Sequence, residues 1–235
     1  MIIDFHAHVM PLADHGSDGK ETTERQLQLI AAGGTEAVVA TPHFYPHRHN
    51  IASFQARRER ALNLLSECRI PQGLKIFLGA EVQVCEGLEE MEELPLLCIE
   101  GTRTILLEMP MGKWSDRLID TVVAIAESGY TPVLAHVDRY PRRNVEALLK
   151  KGLHAQLNAE AFGRFFGKRN ARRYLRLGSV VALGSDLHGA EENGYAPFLH
   201  MRAHLGACAD GVFAASAALL NGAVNMVESF KTTPV

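Results

Sequence analysis

Seven short apolar runs rich in Val, Ile and Leu recur along the 235-residue chain, at 2–5, 36–40, 75–79, 104–107, 132–135, 155–157 and 180–183. Longer stretches with helical periodicity separate most of them, at 24–32, 54–65, 117–127 and 171–177. Strand alternating with helix is typical of βαβ units and a parallel sheet. Parallel strands buried on both faces read as continuous apolar segments, so seven of them favour a closed or nearly closed barrel. An open doubly wound sheet is the alternative.

The length and composition of the chain are those of one globular unit. Its residues are 47% hydrophobic and 22% charged, which is sufficient to bury a sizeable core. Barrels of more than about 200 residues routinely form one domain. No Pro/Ser-rich linker or shift in composition marks a boundary. We therefore expect residues 1–235 to form a single domain.

Side chains that bind metals follow the predicted strands. In chain order they are His6, His8, His43, Glu81, Glu108, His136, Asp186 and His188. A barrel collects chemistry from the carboxyl ends of many strands, whereas an open sheet uses one switch point, so this distribution favours the barrel. Imidazole and carboxylate together suit Zn, Mn, Fe or Ni, whereas calcium prefers oxygen ligands.

Two pairs of these residues share an i, i+2 spacing, His6 with His8 and Asp186 with His188. In a strand this spacing places both side chains of a pair on the same face. Because a catalytic zinc typically takes three protein ligands, a set of this size predicts two or three metals. Adjacent metals can supply a hydroxide near neutral pH and bind both oxygens of an in-line displacement. Phosphoester hydrolysis fits this arrangement best.

The cysteines at 68, 85, 98 and 208 have no CxxC spacing, so they indicate neither a zinc ribbon nor a dithiol redox motif. A thiol phosphatase places an arginine six residues after its nucleophilic cysteine, and none of the four cysteines has one there. We therefore do not expect a cysteine to carry the reaction.

The formal net charge of −3 gives no global attraction to nucleic acid. No stretch approaches the roughly 20 apolar residues that span a bilayer, and the N-terminus lacks the basic and apolar regions of a secretion signal. We expect a cytoplasmic protein with no nucleic-acid partner and no membrane span.

Six motifs carry a resemblance to a known superfamily. They are Ile3-Asp4-Phe5-His6-Ala7-His8, Ala40-Thr41-Pro42-His43, Gly79-Ala80-Glu81, Leu107-Glu108-Met109-Pro110, Ala135-His136-Val137-Asp138-Arg139-Tyr140 and Gly184-Ser185-Asp186-Leu187-His188. Together they resemble the polymerase and histidinol phosphatase (PHP) superfamily, and most closely its bacterial tyrosine-phosphatase branch encoded with capsule and exopolysaccharide genes. The segment 136–140 is the most discriminating, since it is similar to that branch's His-Pro-Glu-Arg-Tyr signature.

The resemblance implies a distorted seven-stranded (β/α) barrel of the PHP type with a trinuclear site. It assigns His6, His8, Glu81 and Asp186 to one metal, Glu81, Glu108 and His136 to a second, and His43 and His188 to a third. The remaining ligand is expected from the loop after His8, where the branch reads Asp-Asp-Gly and this chain reads Asp14-His15-Gly16. Asp14 and His15 are therefore both candidate ligands. Manganese is the favoured metal, with iron or zinc as alternatives.

The resemblance also implies a protein-tyrosine phosphatase in which a metal-bound hydroxide attacks phosphorus. Its partner would be the tail of a bacterial tyrosine kinase that regulates exopolysaccharide or capsule export. We expect Arg139 to be catalytic and to bind phosphate through its planar donor fork. His47 and His49 follow the ligand His43, and His47 is a candidate substrate-binding residue, although such a polar loop is more often solvated. The arginines at 169, 172, 173 and 176 form a basic helix face that is either solvated or contacts an acidic tail.

Other functions remain open on the residues alone. A small-molecule phosphatase acting on a histidinol-phosphate-like or nucleotide substrate would use the same metals. A polymerase-associated exonuclease is disfavoured by the acidic balance of the chain. A non-catalytic metal-binding regulator is the non-enzyme alternative. Without the resemblance, the residues indicate a multinuclear metallohydrolase and no particular substrate.

Overall fold

The computed structural model describes residues 1–163 and 165–232. The strands are β1 (Ile3–Ala7), β2 (Ala37–Ala40), β3 (His43–Phe44), β4 (Lys75–Leu78), β5 (Glu81–Gln83), β6 (Thr104–Glu108), β7 (Thr131–Leu134), β8 (His154–Asn158) and β9 (Val180–Gly184). The helices are α1 (Lys20–Ala32), α2 (Ile51–Ser66), α3 (Asp116–Glu127), α4 (Arg142–Leu149), α5 (Phe165–Arg176), α6 (Ala196–Leu205), α7 (Ala207–Leu219) and α8 (Met226–Thr232).

All strand pairs are parallel, in the orders β1-β2-β4 and β3-β5-β6-β7-β8-β9. Two of the seven expected strands are interrupted, so each gives two short segments. Pro42 has no N–H to continue the ladder and separates β2 from β3. Pairing nevertheless resumes across the break, because the Glu81 N–H donates to the Pro42 carbonyl at 3.1 Å. The β2/β3 and β4/β5 segments therefore occupy two of seven strand positions.

The segment that follows β9, the last strand, lies beside the end of β1, the first strand. A parallel bridge joins Ala7 to Leu187, in the segment that follows β9. Asp186 N–H donates to the His6 carbonyl at 2.7 Å, and His8 N–H donates to the Leu187 carbonyl at 3.1 Å. These bonds bring the end of the last strand position against the end of the first, as a barrel requires.

The predicted α/β fold of parallel strands is confirmed, and each of the seven predicted apolar runs overlaps a strand. The four predicted helices correspond to α1, α2, α3 and α5. The sequence analysis did not predict α4, α6, α7 or α8. In α7 the sequence ACADGVFAASAAL is apolar and small on nearly every side, so it has no clear 3.6-residue pattern.

The core is a single cluster of apolar side chains that extends from Ile3 in β1 to Met226 in α8. The central residues of the strands are buried, including every residue of β1, β2 and β9. In residues 1–163 and 165–232, no helix has both the length and the apolar character to cross a bilayer.

Candidate metal centre

A cavity of about 650 Å³ opens at the carboxyl ends of the strands. Of the predicted site residues, its lining includes His15, His43, Glu81, Glu108, Arg139, Asp186 and His188. His6, His8 and His136 are more deeply buried, with exposed fractions of 0%, 0% and 1%. The Nε2 atom of each of these three histidines lies within 3.3 Å of a carboxylate oxygen of Glu81. The eight predicted strand-end ligands therefore converge on one site.

The candidate ligands form three groups, and within each group the ligand atoms all lie within 4.8 Å of one another. They are the group His6, His8, Glu81 and Asp186, the group His43, Glu81 and Glu108, and the group His8, His43 and His188. The first group has the same residues that the family resemblance assigns to one metal. In the second, His43 joins the two carboxylates, while His136 Nε2 lies 2.7 Å from Glu81 Oε1 and 3.8 Å from Glu108 Oε1.

The donor atoms fit divalent ions. Imidazole and carboxylate donors are buried together here, and Glu81 Oε2, Glu108 Oε2 and His188 Nε2 have no hydrogen-bond partner although they are buried. Buried polar atoms normally have partners, so such orphaned acceptors beside one another indicate the place of cations. Mixed nitrogen and oxygen donors of this kind suit manganese, iron or zinc.

Hydrogen bonds on the outer side of the imidazoles determine which nitrogen faces the centre. His6 Nδ1 lies 3.3 Å from Gln156 Oε1, so Nδ1 carries the proton and Nε2 keeps a free lone pair that can bind a metal. His8 Nδ1 lies 2.7 Å from Asp14 Oδ2, with the same consequence. The two Nε2 atoms lie 3.1 Å apart, a spacing at which both face one cation position. Such outer partners typically fix ligand orientation in metal sites.

Two of the candidate ligands occupy left-handed backbone conformations, each two residues after the end of a strand. His136, after β7, has φ 32°, and Asp186, after β9, has φ 54°. This region is uncommon for residues other than glycine, and such strain concentrates at functional sites. The prediction that strand periodicity aligns Asp186 with His188 was wrong in its reason, because β9 ends at Gly184. The two side chains still face the same cavity, because the backbone turns at Asp186.

Two glycines allow this close packing around β1. A Cβ on Gly16 would lie 2.1 Å from the His8 Cβ, and one on Gly184 would lie 2.6 Å from the His6 Cβ. Real side chains do not tolerate such distances. The glycines of the Asp-His-Gly and Gly-Ser-Asp-Leu-His motifs therefore let the loop at 14–16 and the end of β9 approach the two histidines.

The electrostatics of the centre are set by burial and by the ring of imidazoles. Burial raises the pKa of Glu81, but His6, His136 and His43 outweigh it and hold that pKa well below its ordinary value. Burial and the neighbouring Glu81 carboxylate raise the pKa of Glu108. Burial lowers the pKa of His188 to about 4, with a further contribution from His8. His188 is thus a neutral imidazole, the form in which histidine binds metals.

Arg139 lies at the rim of the centre. Its Nη2 donates to Asp186 Oδ2 at 2.5 Å, and the same oxygen accepts Asn158 Nδ2–H at 3.2 Å. The Arg139 side chain remains about one-third exposed, at 33%, and lines the cavity. The planar guanidinium has five N–H donors, so the contact with Asp186 leaves donors for an oxyanion in the cavity.

The remaining residues of the 136–140 motif hold this loop in place. Asp138 Oδ1 accepts the Asn158 N–H at 3.0 Å, which ties the loop to β8. Tyr140 Oη accepts the N–H of Met109 at 3.0 Å, directly after the candidate ligand Glu108. The motif therefore positions residues of three neighbouring strands.

Asp14 and His15, the two candidate ligands from the loop after β1, differ in their surroundings. Asp14 is outside the three groups of ligand atoms, and its Oδ1 and Oδ2 accept from Gly16 N–H, His8 Nδ1–H and His43 N–H. This favours an orienting role for Asp14. His15 is exposed, and its ring stacks on His43 with centroids 5.1 Å apart and an interplanar angle of 5°. His15 therefore lies at the mouth of the site, beside the third group.

Of the other predicted contacts, His47 lies outside the lining of the cavity. It is exposed, and its ring centroid lies 6.0 Å from that of Tyr45. Among the described residues, the cavity lining reaches Tyr45 but not His47. The sequence analysis missed Tyr45, which stacks on His43 with centroids 5.0 Å apart, and it missed Gln156. The signal for Tyr45 was its place two residues after the candidate ligand His43, whereas Gln156 had no local signal.

A family model for capsular polysaccharide synthesis, CpsB/CapC, matches residues 2–205. This chain belongs to the CpsB/CapC family. The resemblance to capsule-linked phosphatases of the PHP superfamily is thereby confirmed. The matched residues of this CpsB/CapC chain include every predicted metal ligand and Arg139.

Curated relatives of this CpsB/CapC chain match over most of their length. Tyrosine-protein phosphatase CpsB of Streptococcus pneumoniae is 28% identical over 210 residues, which are 81% of this chain and 84% of the relative. Tyrosine-protein phosphatase YwqE of Bacillus subtilis (strain 168) is 24% identical over 209 residues, which are 83% of this chain and 80% of the relative.

Solved structures share the fold of this CpsB/CapC chain. One of them comes from crystal structures of YwqE from Bacillus subtilis and CpsB from Streptococcus pneumoniae, which are described as metal-dependent tyrosine phosphatases. It has a TM-score of 0.72 at 19% identity, and the match covers 95% of this chain and 96% of that chain. A histidinol phosphate phosphatase from Lactococcus lactis, in complex with zinc, L-histidinol and phosphate, has a TM-score of 0.54 at 16% identity and covers 88% and 93%. The PHP-type α/β fold predicted from the sequence is confirmed.

Proposed function

We propose that this chain is a metal-dependent protein-tyrosine phosphatase of capsule or exopolysaccharide synthesis. The observation that carries the proposal is the convergence of His, Glu and Asp donors on one open cavity that also presents Arg139. Relatives named tyrosine-protein phosphatases support the phosphotyrosine specificity. The substrate protein that we propose is the tail of a bacterial tyrosine kinase, for which the capsule-synthesis family provides the support.

We propose that the site holds two or three divalent ions, with manganese favoured over iron or zinc. Support comes from the three donor groups, two of which share Glu81 and two of which share His8. The ligands would be His6, His8, His43, Glu81, Glu108, His136, Asp186 and His188. His15 remains a candidate for the third ion, and Asp14 is placed here as the residue that orients His8. Such ions supply Lewis acidity and a nucleophile at neutral pH.

The chain's own residues bind and orient the phosphoryl group. Arg139 is held by Asp186 and directs its remaining N–H donors into the cavity, where phosphoryl oxygens would accept them. A phenol has a pKa of about 10, so its phenolate leaves with little help from a general acid. This agrees with the exposed position of His47, which we now place outside the chemical step. Tyr45, stacked on His43, forms a flat wall against which an aromatic ring of the substrate can lie.

We further propose that residues 1–235 act as one domain in the cytoplasm. The single apolar core that runs from Ile3 to Met226 supports the first part.

The test combines elemental analysis of the purified protein with hydrolysis of a tyrosine-phosphorylated peptide. His6→Ala, Glu81→Ala and Asp186→Ala each remove a predicted ligand, and we expect each to abolish turnover and lower metal content. The matched control is His154→Ala, which removes a half-buried imidazole at the start of β8. It should retain both.

Each outcome has a distinct meaning. Two or three ions per chain with peptide turnover would support the proposal. Bound metal with turnover of histidinol phosphate or a nucleotide, and none of the peptide, would indicate a small-molecule phosphatase. A chain that binds no metal after reconstitution would contradict the metallohydrolase itself.

A further inference from the structure

A second, smaller cavity of about 190 Å³ adjoins the metal centre. It lies between the loop that follows β1 and the segment from β3 into α2. Its lining is Ala13, Asp14, His15, His43, Tyr45, Arg48, His49 and Arg57. His15, His43 and Tyr45 also line the large cavity, so the two spaces share a wall.

The charge of this second cavity is positive. Arg48 contacts the Tyr45 ring, with its guanidinium carbon 5.4 Å from the ring centroid. Arg57 donates to the His43 carbonyl at 3.4 Å and to His49 at 3.3 Å. Within residues 1–163 and 165–232, neither arginine forms an ion pair with a carboxylate. Asp14 lines the same cavity as an anion, and its oxygens accept from His8, His43 and Gly16. Two guanidinium cations against one carboxylate leave the cavity with a net positive charge.

His49 adds a directed donor. Arginine has no acceptor, so in the contact between Arg57 Nη1 and His49 Nε2 the histidine must accept. Burial and the adjacent arginines lower the pKa of His49, so the neutral ring carries its proton on Nδ1. That Nδ1 is buried without a hydrogen-bond partner. An unpartnered buried donor beside two unpaired guanidinium groups indicates a place for an oxyanion.

We propose that Arg48, His49 and Arg57 form an anion subsite that binds an acidic group next to the phosphotyrosine of the substrate. The inference rests on the proposed phosphatase function and specifies its substrate as an acidic segment. The group that binds in this subsite is an oxyanion, either an Asp or Glu carboxylate or a second phosphoryl group of the substrate. The volume of 190 Å³ admits one such group and no folded element.

The shared wall limits where that group lies in the substrate. An extended chain advances about 3.3 to 3.6 Å per residue. Because His15, His43 and Tyr45 line both cavities, we place the acidic group within about two residues of the phosphotyrosine.

The basic face of α5 is a weaker candidate for the same role. Arg173 is paired with Glu146 of α4, and Arg172 donates to His204 at 2.9 Å. Those two cations are thus already in contact with other side chains, and they are absent from the lining of both cavities at the metal centre.

The experiment compares kcat/KM for a set of phosphotyrosine peptides that differ at one position. The reference peptide has alanine at the two residues on each side, and the others carry glutamate or phosphoserine at each of those positions in turn. p-Nitrophenyl phosphate reports the basal activity. Because hydrogen bonds to charged groups are stronger than neutral ones, we expect about a tenfold preference for the best acidic peptide. The glutamate and phosphoserine arms identify which source of the oxyanion is preferred.

Two substitutions of Arg48 test the subsite. Arg48→Met should bring the ratio of acidic to neutral peptide close to one, and Arg48→Glu should invert it, with p-nitrophenyl phosphate turnover unchanged. Arg60→Met and Arg60→Glu make the same charge changes at an exposed position of α2 and should keep the preference. The ratio is measured within one protein preparation, so partial loss of folded protein does not affect it.

Equal turnover of neutral and acidic peptides by the wild-type enzyme would overturn the subsite and leave the phosphatase proposal intact. A preference that survives in both Arg48 variants would also overturn it. No turnover of any phosphotyrosine peptide by the metal-loaded enzyme would overturn both proposals.

Discussion

Nδ1 of His8 lies 2.7 Å from Oδ2 of Asp14, and this oxygen also accepts the backbone N–H of His43 at 3.0 Å. One carboxylate thus positions two residues of the metal centre. Burial raises the pKa of Asp14, but His8 and the backbone N–H donors outweigh it and hold that pKa below its ordinary value. Asp14 is therefore an anion at neutral pH, which suits a partner that keeps the proton of His8 on Nδ1.

This geometry predicts that Asp14→Asn weakens metal binding without removing a site. Loss of an outer-shell partner typically lowers metal affinity about 10- to 100-fold. Calorimetric titration with Mn²⁺ should show that reduction, with the number of ions at saturation unchanged. Asp18→Asn, at an exposed position of the same loop, is the control. A decrease of one ion per chain in Asp14→Asn would instead make Asp14 a ligand.

Gln156 has a comparable role beneath the other side of the centre. Its Oε1 accepts the His136 N–H at 2.6 Å and faces His6 Nδ1 at 3.3 Å. In Gln156→Leu both donors lose their acceptor in a fully buried place, so we expect unfolding to be easier by about 1 to 3 kcal/mol. Urea denaturation of the metal-free protein measures this. Gln55→Leu, at the surface of α2, should change the stability by less, and equal effects would contradict the role of Gln156.

Arg139→Lys keeps the charge but loses the planar fork. If Arg139 binds phosphoryl oxygens, kcat/KM for an aryl phosphate should fall at least about tenfold while metal content stays constant. Arg142→Lys, an exposed position three residues on, should leave both unchanged. Because Arg139 also holds Asp186, a parallel loss of metal would show that it acts through that ligand. Unchanged turnover would remove Arg139 from the reaction.

Removal of metal should lower both activity and stability. Ions that bind only the folded state stabilise it by about 2.7 kcal/mol at a concentration 100 times Kd. We expect a chelator to abolish turnover and lower Tm, and added Mn²⁺ to restore both. Thermal melts with and without chelator check the second effect. An unchanged Tm and turnover would contradict a tightly bound metal.

Alkylation of thiols should leave turnover unchanged. Burial raises the pKa of Cys68 and of Cys98 to about 11, so both are protonated and poorly reactive at neutral pH. Cys208 is exposed, but it lies in α7, outside the lining of the metal-centre cavity. Turnover before and after iodoacetamide, with modified sites identified by mass spectrometry, tests this. Loss of activity on modification of one cysteine would reopen thiol chemistry.

The strands and the identities of the strand-end donors could be predicted because their causes are local. A parallel strand buried on both faces, such as Ala37–Ala40, must be apolar throughout. Four consecutive apolar residues in the sequence therefore indicate such a strand. The donors follow those strands, and parallel strands end on one side of a sheet. Convergence of His6, Glu81 and Asp186 therefore followed from strand positions alone.

The role of each side chain in the metal centre depends on contacts between distant parts of the chain. His6 and Gln156 are 150 positions apart, and no periodicity in either segment connects them. The turn at Asp186 and the positively charged cluster of Arg48, His49 and Arg57 likewise depend on how loops pack.

The sequence by itself thus determined the parallel strands, the kinds of donor and their order, because burial and strand direction act on neighbouring residues. Only the tertiary structure decided that Asp14 orients His8, that Arg139 is held by Asp186, and that His47 lies outside the cavity lining. The physical reason is that a hydrogen bond depends on distances of about 3 Å between side chains, which the packing of all the strands and loops sets together.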